Sequence, residues 1–153
     1  MRLSELFREV EFDGSIKNDA DINLVTDDSR FVRPGSLFVC IRHRSFDGHT
    51  AALDALASGA AAVVTQDRLG LENELRVADS RSAYARLCAA LCNHPERKLR
   101  LIGVTGTNGK TTVTTLIRNI LSDSGTKTLL TGTVCNRLGD ENLPSGLTTP
   151  KPP

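Results

Sequence analysis

The chain has 153 residues, which is enough for one domain, or for one small domain and part of a second. A hydrophobic fraction of 39% and a charged fraction of 24% are ordinary for a globular protein, and no apolar run approaches membrane-spanning length. The net charge of +1 and the lack of tryptophan argue against nucleic acid as a partner. The N terminus does not have the pattern of a signal peptide, so we expect a cytoplasmic protein.

Helical and strand-like patterns alternate through the first part of the chain. The spacing of apolar residues predicts helices over 2–10 and 50–58, and a third that runs from a cap at Asp79 or Ser80 to Asn93. Apolar runs predict strands over 22–25, 36–41, 60–65 and 75–78. Polar loops over 26–30 and 43–49 follow the first two strands. This alternation predicts a small α/β domain.

The four cysteines do not form a strong metal motif. Cys88 and Cys92 lie on the third predicted helix, where a zinc site would recruit His94. A single pair with this spacing is a poor zinc signature, because no second pair matches it. Together with Cys40 and Cys135, they are better interpreted as free thiols in a reducing compartment.

A charged segment over residues 94–100 contains Pro95, which ends the third helix. We interpret this segment as the junction between a first domain over 1–97 and a second over 98–153. In the second domain we expect a strand over 99–104, a helix over 111–123, a strand over 127–131 parallel to the first, and loop over 132–153. Two strands and one helix are too few for a parallel sheet, so we expect the truncated beginning of a larger domain.

The strongest motif lies between the predicted strand and helix of the second domain. Its glycines let backbone N–H groups close on phosphate oxygens, and the following helix presents unpaired N–H groups and its positive dipole end. Lys110 would neutralise β- and γ-phosphate charge, and the Thr111 hydroxyl would bind Mg²⁺. The nucleotide-binding residues predicted from this motif are Gly106, Thr107, Asn108, Gly109, Lys110, Thr111 and Thr112.

The motif departs from the common phosphate-loop pattern in one place. Val104 stands where a glycine is expected, five residues before Gly109. The alternative is a glycine-rich turn between strand and helix that contains a lysine by chance. The order of strand, glycine loop, Lys-Thr and helix favours phosphate binding over this alternative.

The phosphate loop and several first-domain segments together resemble the Mur ligase family, whose members build the peptide stem of bacterial peptidoglycan. The segments that carry the resemblance are 106–112, 28–30, 32–39, 47–49, 59–64, 132–133 and 147–150. The last two are most similar to the family member that adds the third residue of the stem. The phosphate loop by itself also resembles folylpolyglutamate and cyanophycin synthetases, which lack the first-domain pattern.

The resemblance implies both a fold and a reaction. A small N-terminal α/β domain that binds the uridine nucleotide precedes a central parallel-sheet domain that binds ATP. In the implied reaction, ATP phosphorylates the carboxylate of UDP-N-acetylmuramoyl-L-alanyl-D-glutamate, and the amine of meso-diaminopimelate or L-lysine then attacks the acyl phosphate to form an amide. Lys110 has the catalytic role, and the cofactors are ATP and Mg²⁺, with Thr111 as a metal ligand.

The resemblance also implies a set of substrate-binding residues, which are Ser29, Arg30, Arg44, Ser45, Phe46, Thr148 and Thr149. Arg30 can serve the diphosphate by bidentate contacts, or it can fix its own loop through a salt bridge. Thr148 and Thr149 match positions that contact the muramoyl peptide, and the alternative is a simple turn.

Residues beside these positions have simpler explanations. His43 replaces a glycine that is common in the family's second uridine-site loop. Asp47 is explained as a turn former or a helix cap, and His49 as a structural hydrogen-bonding residue at a helix start.

Two other functions stay open. One is a non-catalytic module that binds a UDP-sugar or nucleotide, and the other is a generic P-loop kinase or NTPase that hydrolyses nucleotide without dependence on a UDP-sugar. The resemblance implies that the family's second Mg²⁺ site and the domain that holds the incoming amino acid lie beyond residue 153. We therefore expect that this chain alone does not complete the ligase reaction and does not select between meso-diaminopimelate and L-lysine.

Overall fold

A computed structural model describes residues 1–143 and divides the chain into two compact units. The first unit covers Met1–Leu99, and the second begins at Arg100. Each unit has its own sheet. Within residues 1–143, no helix has the length and apolar character needed to cross a lipid bilayer.

A parallel four-stranded sheet forms the centre of the first unit. In chain order and in sheet order its strands are β1 (Leu24–Thr26), β2 (Ser36–Val39), β3 (Ala62–Thr65) and β4 (Glu74–Arg76). The register places Val25 opposite Leu37, and Phe38 opposite Val63. Every residue of β2 and β3 is buried, which explains why both strands are continuous apolar runs rather than alternating patterns.

Helices cover both faces of this sheet. The α-helices are α1 (Leu3–Leu6), α2 (Ala52–Ala57) and α3 (Ser80–Leu91), and short 3₁₀ helices cover Ser29–Phe31, Gly48–Ala51 and Pro95–Lys98. On one face, Leu37 and Val39 pack with Leu87 of α3 and Leu6 of α1. On the other face, Phe38 and Cys40 pack with Ala52 and Ala55 of α2. The predicted α/β domain is confirmed.

The start of α3 confirms the predicted cap. The Asp79 carboxylate accepts hydrogen bonds from the backbone N–H groups of Arg81 and Ser82, at 2.9 and 3.2 Å. These bonds satisfy two donors that have no partner inside the helix. The helix ends at Leu91 with Cys92 as its C-cap, and Asn93 and His94 then adopt positive φ angles of 57° and 51° before Pro95.

The second unit pairs one helix with a small antiparallel sheet. Its elements are α4 (Lys110–Asp123), β5 (Leu129–Thr131), β6 (Asn136–Leu138) and β7 (Glu141–Leu143), with sheet order β5-β6-β7. Arg118 of α4 is buried and donates hydrogen bonds to the Gly139 carbonyl and, at 3.2 Å, to Asp140. This side chain ties the helix to the turn between β6 and β7.

Three predictions for the second unit are wrong. The predicted strand over 99–104 has no regular structure, and Leu101 is 81% exposed, because no neighbouring strand in residues 1–143 pairs with it. The strand predicted over 127–131 covers only Leu129–Thr131, and it pairs antiparallel with β6 instead of parallel with the segment over 99–104. Its pairing with β6 is antiparallel because the short link over 132–135 cannot make the long crossover that a parallel pair requires. The predicted loop over 132–153 therefore contains β6 and β7 within its described part.

The predicted helix over 2–10 is also too long. The helix α1 ends at Leu6, and residues 7–10 form turns in which Val10 N–H donates to the Phe7 carbonyl at 3.1 Å. This conformation buries both Phe7 and Val10, and Phe7 packs edge-on against Phe12 with ring centroids 5.0 Å apart. Tertiary burial of these apolar side chains overrides the helical pattern.

Candidate functional site

The loop after β1 carries two of the predicted substrate residues, Ser29 and Arg30. Asp28 caps its 3₁₀ turn by accepting a hydrogen bond from the Arg30 N–H at 3.0 Å. The Arg30 guanidinium forms a two-point salt bridge to the same carboxylate, with Nη2 2.5 Å from Oδ2 and Nε 2.9 Å from Oδ1. Of the two alternatives for Arg30, the loop-fixing salt bridge is present in this structure.

The loop after β2 carries Arg44, Ser45 and Phe46. At its base, the Arg42 Nε donates to the Asp47 carboxylate at 3.1 Å, and the His43 N–H donates to the Phe46 carbonyl at 2.8 Å. These bonds close the four residues 43–46 into a turn whose three predicted substrate residues are exposed. Outside glycine, only Asn93 and His94 have positive φ among the described residues, so His43 fits its place without the conformational freedom of a glycine.

The two loops meet at one edge of the sheet. His43 Nε2 lies 3.4 Å from Oδ2 of Asp27, which follows β1. Because the carboxyl ends of neighbouring parallel strands share an edge, the β1 and β2 loops project from the same side. The structure therefore brings the Ser29 loop and the 43–46 turn together. The predicted residues Thr148 and Thr149 lie outside the described residues.

Asp47 and His49 follow the 43–46 turn and are less exposed than its residues 44–46. The Asp47 carboxylate caps the following 3₁₀ helix by accepting from the His49 N–H at 3.0 Å, and it lies 2.6 Å from His49 Nδ1. These two bonds to His49, helped by Arg42, hold the pKa of Asp47 at about 2 despite partial burial. The helix-cap explanation of Asp47 and the hydrogen-bonding role of His49 are confirmed.

One contact in this region could not be predicted from the sequence pattern. His49 Nε2 accepts a hydrogen bond from the backbone N–H of Gln66 at 3.1 Å. Gln66 follows β3, and only the parallel pairing of β2 with β3 brings it next to His49. Local sequence patterns therefore predict the contact of this imidazole with Asp47 but not its contact with Gln66.

The phosphate-loop residues lie in the second unit, at the start of α4. Gly106 and Gly109 have positive φ angles of 152° and 76°, a backbone region that glycine adopts without strain. Gly109 is the residue before the helix, and no side chain caps this helix end. The first-turn N–H groups of a helix lack internal partners, so this end can receive an anion.

Lys110 is folded back over the loop. Its Nζ donates to the Gly106 carbonyl at 2.6 Å and to the Thr107 carbonyl at 3.3 Å, and the whole loop is exposed. The helix begins at Lys110, one residue before the predicted start. The ammonium group is thus held against the carbonyl groups of the loop in this structure.

The arrangement fits a nucleotide phosphate with Mg²⁺. The uncapped start of α4 and its two loop glycines supply N–H donors, and Lys110 supplies positive charge. Residues 1–143 contain no cluster of three or more histidine, cysteine or acidic side chains that would hold a metal alone. A Mg²⁺ ion bound by Thr111 would take its other ligands from phosphate oxygens and water, as Mg²⁺ commonly does.

The cysteines do not contribute to a site in this part of the chain. None of the four forms a disulfide within the described residues; Cys40 and Cys88 are buried and Cys92 is exposed. Burial raises the pKa of Cys40 to about 12 and that of Cys88 to about 11. Both groups are therefore protonated and unreactive at neutral pH.

Comparison with known families assigns the chain. The model of the Mur ligase family, catalytic domain, matches residues 21–94, and the model of the Mur ligase middle domain matches residues 104–153. The chain belongs to the Mur ligase family. The first match contains the two loops at the sheet edge, and the second contains the phosphate loop and α4. The predicted family is thus confirmed.

The similar Mur ligases have names that describe ligation to a UDP-N-acetylmuramoyl peptide or synthesis of the tripeptide. A UDP-N-acetylmuramoyl-L-alanyl-D-glutamate–2,6-diaminopimelate ligase from Listeria monocytogenes is 38% identical over 152 residues, covering 98% of this chain and 31% of that protein. The enzyme of the same name from Geobacillus kaustophilus is 46% identical, covering 86% and 27%. A UDP-N-acetylmuramyl-tripeptide synthetase from Deinococcus radiodurans is 39% identical, covering 100% and 33%. This chain spans about a third of the length of these relatives.

Solved Mur ligase structures have a similar fold. A UDP-N-acetylmuramoyl-L-alanyl-D-glutamate–2,6-diaminopimelate ligase structure matches with a TM-score of 0.70 at 28% identity, covering 93% of this chain and 29% of that one. The D-alanyl-D-alanyl ligase of Acinetobacter baumannii, which is named for a UDP-N-acetylmuramoylalanyl-D-glutamyl-2,6-diaminopimelate substrate, matches with a TM-score of 0.55 at 26% identity, covering 78% and 27%. Both neighbours confirm the Mur ligase α/β fold.

Proposed function

We propose that this chain is part of an ATP-dependent amide ligase that adds the third amino acid to UDP-N-acetylmuramoyl-L-alanyl-D-glutamate in peptidoglycan synthesis. The first unit anchors the UDP substrate, and the phosphate loop of the second unit binds ATP. The relatives from Listeria and Geobacillus are named for 2,6-diaminopimelate, and we propose the same amino acid here. The reaction belongs in the cytoplasm, where its nucleotide substrates are made.

One observation carries the proposal. The chain combines a sheet edge where two predicted substrate loops meet, through His43 and Asp27, with a second unit whose helix begins uncapped behind a glycine loop and Lys110. A generic NTPase needs only the second feature, and a UDP-binding module needs only the first. A ligase that joins a UDP-linked carboxylate to an amine at the expense of ATP needs both.

The residues of each loop have distinct tasks. Ser29 and Arg44 to Phe46 bind the UDP group, with Arg44 free to contact the diphosphate because its side chain is exposed. On the other unit, Lys110 turns from the Gly106 carbonyl to phosphate oxygens, and the amides at the start of α4 donate to them. When bound, ATP supplies the phosphoryl group that activates the substrate carboxylate, and Mg²⁺ offsets phosphate charge.

Calorimetric titration of the 153-residue chain tests this assignment with two ligands. UDP-N-acetylmuramoyl-L-alanyl-D-glutamate and Mg²⁺-ATP are each expected to bind the unmodified chain. Lys110→Ala weakens ATP binding by at least about tenfold and leaves binding of the UDP compound intact, because it removes a charge-assisted contact. Arg44→Ala is expected to weaken binding of the UDP compound and to leave ATP binding intact. Lys127→Ala and Arg8→Ala are controls that remove exposed cations outside both loops.

The same titrations separate the alternatives. Binding of ATP without the UDP compound favours a generic NTPase, and binding of the UDP compound without ATP favours a non-catalytic module. Loss of UDP-compound binding in Lys110→Ala would contradict the division of tasks between the two units.

A further inference from the structure

His49 is a buried imidazole with both ring nitrogens engaged. The side chain is 5% exposed, and its Nε2 accepts from the Gln66 backbone N–H at 3.1 Å. Because a backbone N–H can only donate, Nε2 carries no proton. The proton of the neutral ring is therefore on Nδ1, which donates to Asp47 Oδ1 at 2.6 Å. The hydrogen bonds specify one tautomer of this histidine.

Asp47 joins that imidazole to the base of the 43–46 turn. Its Oδ1 also accepts from the His49 N–H at 3.0 Å, and its Oδ2 accepts from Arg42 Nε at 3.1 Å. Arg42 immediately precedes the turn and Asp47 immediately follows it, so one carboxylate closes the turn and fixes it to His49. Arg42 also pairs with Asp67, which lies beyond β3.

Gln66 continues the connection into the sheet and α3. Its side chain donates to the Ala78 carbonyl at 3.2 Å and accepts from the Ser80 hydroxyl at 2.9 Å. Ser80 is the first residue of α3 and is fully buried. The base of the turn is therefore linked through His49 to the end of β3 and to the start of a core helix.

The backbone at this base is also tightly packed. A Cβ added at Gly48 would lie 2.8 Å from the Ile41 N and 3.0 Å from its carbonyl oxygen, which leaves no room for a side chain. The inner residues Asp47 and His49 bond to protein groups, whereas Arg44, Ser45 and Phe46 are exposed. Asp47 and His49 thus fix the position of the exposed residues of the turn.

We infer that Asp47 and His49 are positioning residues of the UDP-substrate site: they hold the 43–46 turn against the end of β3 so that Arg44, Ser45 and Phe46 face the nucleotide. This inference rests on the proposed function, because it assigns the turn its ligand. Neither positioning residue touches the substrate. Their effect on binding passes through the orientation of the turn.

The test uses the full 153-residue chain and four substitutions. His49→Ala removes both ring bonds, and His49→Gln retains an acceptor near Nε2. Asp47→Asn keeps the side-chain shape but weakens the bonds to His49 and Arg42. His94→Ala is the matched control, because it removes an imidazole that pairs with Glu96 outside the sheet edge. Thermal unfolding of each variant identifies those that fold.

Two measurements are made on each folded variant. NMR gives the exchange rate of the His43 amide, which closes the turn, and, where His49 is retained, the tautomer of its ring. Calorimetry gives the dissociation constant for UDP-N-acetylmuramoyl-L-alanyl-D-glutamate. The wild type has the Nδ1–H tautomer. In His49→Ala the amide exchanges at least about tenfold faster and the ligand binds about tenfold more weakly, because two buried hydrogen bonds are lost. His49→Gln recovers part of both effects, and His94→Ala changes neither.

Negative results in the two measurements contradict different parts of the proposal. Failure of the wild type to bind the UDP compound contradicts the proposed function, and with it the ligand assigned to the turn. An Nε2–H tautomer, or an unchanged His43 exchange rate in His49→Ala, overturns the positioning role even where the wild type binds. A faster amide with unchanged affinity overturns it as well, because the turn would then not orient the ligand contacts. If His49→Ala does not fold, Asp47→Asn carries the same expectations.

Discussion

A single carboxylate, that of Glu74, organises the connection between β3 and β4. It accepts hydrogen bonds from the backbone N–H groups of Leu69, Gly70 and Leu71, at 2.7, 2.8 and 3.2 Å. It also accepts from the Thr65 hydroxyl at 2.8 Å. Consecutive N–H groups that converge on an anion form a concave nest, and here the anion is supplied by the chain itself.

We expect Glu74→Gln to lower the free energy of unfolding by about 1–2 kcal/mol at pH 7. The amide replaces one acceptor oxygen by an NH₂ group that faces backbone donors. Glu72→Gln is the matched control, because Glu72 is exposed and only pairs with Lys17 at 3.6 Å. Urea unfolding measures both variants, and equal losses for the two would contradict the role given to Glu74.

The contribution of Glu74 also depends on pH. Burial raises the pKa of this carboxyl, but the bonds from Leu69, Thr65, Leu71 and Gly70 outweigh burial and lower it below its ordinary value of 4.5. A lowered folded-state pKa gives stability that is present above pH 4.5 and is lost as the pH falls below that value. The difference in unfolding free energy between wild type and Glu74→Gln should therefore shrink below pH 4.5. A difference that stays constant through acid would contradict this account.

At the scale of elements, α3 buries apolar residues in a core, whereas α4 leaves several of its apolar residues exposed. Leu87 of α3 is fully buried between the sheet and α1, whereas Ile120 of α4 is 68% exposed. We expect Leu87→Ala to lower the unfolding free energy of the first unit by about 2–5 kcal/mol. Ile120→Ala should change that of the second unit by about 0.5 kcal/mol or less. Urea unfolding followed through amide signals of each unit measures both, and similar costs would show that Ile120 packs more closely than the structure indicates.

The sequence predicts correctly those elements whose determining residues are close together in the chain. The continuous apolar runs of β2 and β3 and the capping carboxylate of Asp79 are visible in the sequence, and the structure contains them. The segment over 99–104 has equally strong strand composition, but a strand also needs a partner, and composition does not provide one. Likewise, the direction of β5 depends on its connection to β6 rather than on its own residues.

For the candidate site, prediction is limited by distance along the chain. The phosphate loop lies within a few residues of its helix, so the sequence predicts its position to within one residue. The meeting of the Ser29 loop with the 43–46 turn depends on adjacent parallel strands, as does the bond from Gln66 to His49. These contacts join residues that only the folded sheet brings together.

At the scale of the whole molecule, the two units differ in how completely they bury their apolar residues. The first unit has cores on both faces of its sheet, whereas the second exposes Leu101, Leu116 and Val134. We expect amides of β2 and β3 to exchange with solvent much more slowly than those of α4, because local opening is easier where fewer apolar contacts form. Hydrogen exchange resolved by residue measures this difference. Equal protection in β2 and α4 would contradict it.

We propose that one chain carries two separate ligand sites, for a UDP-muramoyl peptide on the first unit and for ATP on the second. The most direct test maps backbone amide shifts of the isotope-labelled chain by NMR as each ligand is added. UDP-N-acetylmuramoyl-L-alanyl-D-glutamate should shift the amides of residues 28–31 and 43–46, and Mg²⁺-ATP should shift those of 106–112. Shifts from the UDP compound confined to 106–112, or absent from both first-unit loops, would contradict the claim.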